Sequence, residues 1–387
     1  MFDFAREVES NSCEAQRRNE GIRPSALICN TSRNSVKCGK SCCNGLNEAN
    51  QPMKLIIPMA GRGTRVRPHS HVTPKPLLSV RGKTLVERIV DTFVRVLPKA
   101  PDAGVFVLGP DFGDNVRNQL TAICKKRNME AHFCVQSKPL GTAHAVYAAK
   151  EYLKGEGIVV FADTLFDMEE QVNLEDADVV AWVKFVEDPS RFGVAVREGD
   201  RIVALVEKPQ DLISNEALIG IYYIKELENL RKEIDLMIEE DRKGPTGEYY
   251  LTDAFDQMLK ANLVFKTASV SEWLDCGTIK ALMETTKIIL SKEVSDLKQG
   301  VVQNSLVKDP VYIGPGAKVT NAVIGPYVSI EEGAEVNGAI IRDSIIFANA
   351  SVENAILANS MIGQYAQVKD NPRMINVGDH AILGYEE

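Results

Sequence analysis

The sequence predicts an α/β protein: a layered domain with a mixed, mostly parallel sheet, followed by a short region of stacked repeats. Three observations carry this. From Met53 to Val179, apolar β-favouring runs alternate with amphipathic helical stretches. After Val179 the β-favouring runs crowd together without helices between them. Beyond about residue 300, short apolar steps recur every five to six residues, a spacing that neither a helix nor a flat strand has.

Residues 1–52 are rich in Ser, Asn, Arg and Glu and show no hydrophobic period, so a disordered leader is expected there. Order is expected from Met53, where KLIIPM (54–59) forms the first strand. Lys83 to Leu97 carries Leu85, Val86, Ile89, Val90, Phe93, Val94 and Leu97 at helical spacing. VFVLG (105–109) reads as a buried strand and 114–127 as a second amphipathic helix. HFCVQ (132–136), a helix from Thr142 to about Leu153, and IVVFAD (158–163) make another strand–helix–strand passage. This alternation places helices on both faces of a Rossmann-like sheet. The later runs AWVKFVE, FGVAVRE, RIVALVEK and LIGIYYIK read as an antiparallel insertion. Helices near 226–241, 252–261 and 277–292 close a domain expected over 53–295.

The repeat region begins with Val311, Ile313-Gly314, Ala317 and Val319, and continues through Ala322, Ile324-Gly325, Val328, Ile330, Ala334 and Val336. A looser passage ends with Ile362-Gly363, Ala366 and Val368. This pattern resembles the hexapeptide repeat of left-handed parallel β-helices, in which small residues turn tight corners and aliphatic ones stack inward. About four coils fit into 300–387.

Hydrophobic residues make up 44% and charged residues 25%, the balance of a soluble globular chain. A formal net charge of -8 gives no broad basic field for nucleic acid or an anionic membrane, so neither is expected as a partner. No apolar run reaches membrane-spanning length, and MFDFAREVES lacks the layout of a secretory signal, so a cytoplasmic location is expected. Five of the eight cysteines lie in the first fifty residues, and Cys38, Cys42 and Cys43 have neither metal-knuckle spacing nor a nearby His. Free thiols are expected.

Chemistry concentrates first in Gly61-Arg62-Gly63-Thr64-Arg65, directly after the first strand, with Pro74-Lys75-Pro76 beginning nine residues after Arg65. A glycine-rich turn at the carboxyl end of a parallel strand lets backbone N–H groups converge on phosphate oxygens. Arg65 and Lys75 bring two cations to the same loop. Together, IIPMAGRGTRVRP and TPKPLLSV resemble the signature of the sugar nucleotidyltransferases, the NDP-sugar pyrophosphorylases, over roughly 53–292. Pro58-Met59-Ala60 departs from the common Leu-Ala-Ala or Leu-Ala-Gly at positions that act mostly through their backbone.

The resemblance implies an enzyme that forms an NDP-sugar and pyrophosphate from an NTP and a sugar-1-phosphate. It implies that Ala60, Gly61, Gly63 and Thr64 wrap the phosphates, with Arg65 and Lys75 as catalytic cations. Gln136, in the segment Gln136 to Ala145, looks like the base reader, with Gly141 and Thr142 beside it. A Gln amide offers a donor and an acceptor that match the edge of uracil or thymine, so UTP or TTP is expected. His144 in the same segment is expected to pack on its helix. Phe161-Ala162-Asp163 and Trp273-Leu274-Asp275-Cys276-Gly277-Thr278 resemble the two metal motifs, which makes Asp163 and Asp275 the expected Mg²⁺ ligands. On the sugar side, Phe192-Gly193-Val194, Glu207-Lys208-Pro209 and GEYYLTDAF nominate Gly193, Glu207, Lys208, Glu248 and Asp253. Lys208 is expected on the sugar phosphate, and glucose-1-phosphate is the sugar expected by resemblance.

Three rival readings remain: a guanylyl- or adenylyltransferase, a non-catalytic regulatory relative, and an added acyl transfer by the β-helix. Retention of Arg65, Lys75, Asp163 and Asp275 argues against the non-catalytic relative. None of the five histidines falls between 300 and 370, which argues against acyl transfer. A homo-oligomer is expected.

Overall fold

The computed structural model describes residues 52–61, 63–168, 173–294 and 299–371. The expected leader lies outside them except for Pro52, as do His380 and the end of the repeat region.

The chain opens with β1 (Lys54–Pro58), a small hairpin of β2 (Ser79–Val80) and β3 (Lys83–Thr84), and α1 (Leu85–Val96). Next come β4 (Ala103–Leu108), α2 (Asp114–Lys125), β5 (Glu130–Val135), α3 (Thr142–Tyr147), β6 (Gly157–Val160) and β7 (Thr164–Asp167). The crowded segment supplies β8 (Val179–Phe185), β9 (Gly193–Glu198), β10 (Arg201–Glu207) and β11 (Glu216–Ile224). The domain closes with α4 (Leu227–Glu239), α5 (Leu251–Lys260), β12 (Phe265–Ser269), β13 (Glu272–Asp275) and α6 (Ile279–Lys292).

Nine strands form one sheet in the order β5-β4-β1-β6-β11-β8-β12-β10-β9. The first four are parallel, and β11 enters antiparallel between β6 and β8. Side chains alternate across the sheet, as strand geometry requires. Leu55 and Ile57 point into a core with α1 and α2, while Ile56 points into a second core with α3, α4 and α5. The helix expected to run to about Leu153 stops at Tyr147, because Ala149 N–H bonds to Val146 O and tightens the chain into a separate turn at Lys150–Tyr152.

Short parallel strands after residue 300 stack into three ladders, the sides of a β-helix. Val311 pairs with Val328 and Val328 with Ser344, so successive coils take 17 and then 16 residues. Val311, Ile313, Ala317, Val319, Ala322 and Ile324 and their successors fill the inside, matching the repeat read from the sequence. The three outer faces differ. One meets the catalytic domain, where Ile345 and Phe347 join the core of α1 and α6 and Glu331 accepts the Gly82 N–H at 3.1 Å. Another is polar and carries the ion pairs Lys318–Glu335 and Lys369–Glu353. The third exposes a column of Leu306, Val323, Ile340 and Ile356, one per coil and in register.

Candidate active site

In doubly wound sheets, ligands sit beyond the carboxyl ends of the parallel strands. Here β1 ends at Pro58 and runs into the glycine-rich loop, and β6 ends just before Phe161-Ala162-Asp163. β5 ends just before Gln136, whose N–H bonds to Leu108 O at the end of β4. Three loops therefore meet at one edge.

Two cavities open there and share Arg65, Thr142, Phe161 and Asp163. The smaller, about 380 Å³, is lined by Ala60, Gly61, Gly63, Lys75, Gln136, Gly141 and Glu248 in addition. The larger, about 520 Å³, adds Arg191, Gly193, Glu207, Thr252, Trp273 and Asp275.

Lys75 is only 6% exposed, and its Nζ donates to Asp163 O at 3.0 Å. Burial lowers its ammonium below the usual lysine value, with help from the Arg65 charge and against the pull of the Asp163 and Asp275 carboxylates. Asp163 and Asp275 come together because β7 and β13 form a two-stranded ribbon in which Thr164 faces Asp275. Asp275 Oδ1 accepts the Gly277 N–H at 2.6 Å. A Cβ on Gly277 would stand 2.9 Å from Asp275 Oδ1 and 3.5 Å from an Arg65 guanidinium nitrogen, so glycine leaves room for that cation beside the carboxylate. Thr278 then caps α6 by accepting the Ala281 N–H at 3.1 Å.

In the lining of the smaller cavity, Gly141 has φ +113, and a Cβ there would lie 2.4 Å from Tyr249 O. The close approach is fixed by Tyr249 N–H bonding to Leu140 O and Ala143 N–H bonding to Tyr249 O. Thr142 Oγ1 accepts the Leu251 N–H at 3.0 Å. Gln136 is 8% exposed, and its Nε2 lies 3.1 Å from His144 Nδ1 and 3.5 Å from Gly141 O. The amide's donor half, expected to face the base, is thus engaged within the protein.

Among the residues nominated for the sugar, β9 and β10 pair Gly193 with Glu207. Burial raises the Glu207 carboxyl, opposed by the hydrogen bond from Thr252 at 3.1 Å and by the Lys208 charge. Lys208 lines neither cavity: its Nζ lies 4.0 Å from Glu207 Oε1 and 5.8 Å from the Tyr250 ring centroid. Thr64, at the start of a short turn, and Asp253, on α5, also lie outside both linings. Glu248, nominated for the sugar, lines the smaller cavity. The sequence reading did not single out Arg191, which directly precedes the Phe-Gly-Val motif, or Thr252, which lies inside the GEYYLTDAF segment beside Asp253.

The family model described as nucleotidyl transferase matches residues 54–292, and one described as GMPPB C-terminal domain matches 307–386. A glucose-1-phosphate thymidylyltransferase of Streptomyces griseus is 26% identical over 85% of this chain and 98% of its own length. The bifunctional protein GlmU of Methanocaldococcus jannaschii is 29% identical over 81% of this chain and 78% of its own. Among solved structures, a UDP-glucose pyrophosphorylase complexed with UDP-glucose superposes with a TM-score of 0.52 at 21% identity. That match covers 63% of this chain and 100% of the other, and it shows the shared fold.

Proposed function

The chain belongs to the nucleotidyl transferase family and is a sugar-phosphate nucleotidyltransferase; on that premise we propose that it joins UTP or TTP to glucose-1-phosphate. The observation that carries this reading is that Arg65, Lys75, Asp163 and Gln136 line one cavity. In this reading Arg65 and Lys75 are the cations for the phosphates and the Gln136 amide is the group for the base. The name of the Streptomyces relative supplies the sugar and one of the two nucleotides.

A non-bridging oxygen of the sugar phosphate attacks the α-phosphorus of the NTP. The new P–O bond forms as the bond to the β-phosphate oxygen breaks, and pyrophosphate leaves with its electrons. No covalent intermediate with the protein is required, so catalysis lies in positioning and in stabilising charge. Arg65 and Lys75 hold the triphosphate while Ala60, Gly61, Gly63 and Thr64 offer backbone around it. Gly141 and Thr142 flank the base. Gly193 and Glu207, in the larger cavity, and Glu248, in the smaller, hold the sugar; Lys208, which lines neither, is the cation nominated for the sugar phosphate.

The donor set fits a hard divalent cation. Asp163 and Asp275 both line the larger cavity, and no ion pair among the described residues takes either carboxylate. Asp163 and Asp275 would hold Mg²⁺, which would supply positive charge against the phosphates.

The assembly in this reading is a homo-oligomer, supported by the exposed Leu306–Val323–Ile340–Ile356 column, which two copies could bury against each other. A monomer in light scattering would overturn that part. Among the described residues no helix is long and apolar enough to cross a membrane.

Pyrophosphate release over a matrix of NTPs and sugar-1-phosphates tests the assignment. The expected optimum is UTP or TTP with glucose-1-phosphate. A preference for GTP or ATP would overturn the pyrimidine part.

A further inference from the structure

We propose that His144 is a positioning residue that turns the Gln136 amide oxygen toward the nucleotide cavity. The site would then select bases with an N–H on their pairing edge. This rests on the reading of Gln136 as the group that meets the base.

The amide's direction follows from its neighbours. Gly141 O is a carbonyl and can only accept, and it already receives the Ala145 N–H at 3.0 Å. The Gln136 atom 3.5 Å away is therefore the NH₂ group. His144 Nδ1, 3.1 Å from the same nitrogen, must then be the lone-pair side of a neutral ring that carries its proton on Nε2. Burial favours that neutral ring, since it lowers the imidazole from its usual value. With both N–H bonds directed into the protein, Oε1 is the part of the amide left for a ligand. No hydrogen bond among the described residues reaches it, and Gln136 lines the cavity.

A lone acceptor is satisfied by the N3–H of uracil or thymine and by the N1–H of guanine. Adenine and cytosine instead carry a ring lone pair at that point of the edge, and their docking in the same register sets two acceptors against each other. His144 thus contributes to base choice without touching the base.

The test is kcat/KM for UTP, TTP, GTP, ATP and CTP in the full-length wild type, His144→Phe and His144→Asn, with melting temperatures alongside. The Asn side chain can put an acceptor near the Nδ1 position, and Phe keeps the ring but has no lone pair. The preference for the three N–H bases over ATP and CTP should fall about five- to tenfold in His144→Phe. The loss should lie in KM for the nucleotide, and His144→Asn should restore most of it. Equal discrimination in a well-folded His144→Phe would overturn the inference, as would a wild type that prefers ATP or CTP. A wild type that prefers GTP overturns the pyrimidine assignment and leaves this inference standing. If no turnover were found, calorimetric affinities for the same five nucleotides would decide it by the same ratios.

Discussion

Lys75 Nζ and the main-chain oxygen of Asp163 are 3.0 Å apart, joining the signature segment after β1 to the end of β6. One buried ammonium thus holds an acidic loop in place and presents its charge to the cavity.

Replacing that group separates the two roles. Lys75→Gln keeps a donor for Asp163 O, and Lys75→Ala removes it. Both should cost about a hundred- to thousandfold in turnover, the size expected for losing one donor to developing phosphate charge. Only Lys75→Ala should also lower the melting temperature clearly. Pyrophosphate release and thermal melts read the two effects, and near-normal turnover in Lys75→Gln would remove the charge from the mechanism.

Asp163→Asn and Asp275→Asn keep size and lose charge. Each should lose most Mg²⁺-dependent turnover while keeping the wild-type circular dichroism spectrum, and added Mg²⁺ should recover part of it. A well-folded variant with wild-type rates at low Mg²⁺ would clear that carboxylate of a ligand role.

Gly141→Ala should destabilise the protein by about 1–3 kcal/mol, because alanine at positive φ is strained. Its methyl would also be driven toward Tyr249 O, 2.4 Å from the ideal position. The denaturant midpoint measures the cost, and KM for the nucleotide should rise with it. An unchanged midpoint would mean that the Tyr249 loop yields freely.

Glu331 tests the junction with the β-helix. Burial raises its carboxyl, opposed by the bonds from Ser329 and the Gly82 N–H and by the Arg88 and Arg81 charges. With the folded value above the unfolded one, the folded state holds the proton more tightly. Relative to Glu331→Gln, the wild type should therefore gain stability as pH falls through the folded value. The gain is complete below the ordinary glutamate value of 4.5 and lost as pH rises. Glu331→Ala should cost about 1–3 kcal/mol at low pH, because the Gly82 N–H is left without its partner, and less as pH rises. Parallel melting curves for wild type and Glu331→Gln across pH would contradict the assignment.

The strand–helix alternation was legible because β1 and its neighbours are buried on both faces, which leaves continuous apolar runs such as KLIIP. The inward positions of the β-helix were legible because each coil repeats one short pattern. The corners were less so. Asn304, Asn321 and Asn354 take positive φ there, a conformation asparagine tolerates, and Gly338 takes the fourth place, so the coil spacing is hidden by the change of residue type. In the site, Arg65, Lys75 and Asp163 stand in local motifs; Arg191 and Thr252 lie beside or inside motifs too, but only the fold shows that Thr252, and not its neighbour Asp253, lines the larger cavity. His144 reads as one more residue of an amphipathic helix until the fold turns its Nδ1 to Gln136. Lys208 has the expected motif around it, but φ +42 carries its side chain over Tyr250 instead of into either cavity.

The stacking of Val311 on Val328 and of Val328 on Ser344 also limits how the gene can change in length. Loss of one residue inverts the alternation, so that buried side chains turn to water. Loss of about a third of a coil keeps the alternation but moves later residues to the next side of the prism. The exposed column would then slide round toward the polar face that carries Lys318 and Glu335. Only insertions or deletions of a whole coil leave the phase intact. Length variation in the β-helix should therefore come in steps of 16 or 17 residues, as the present coils do.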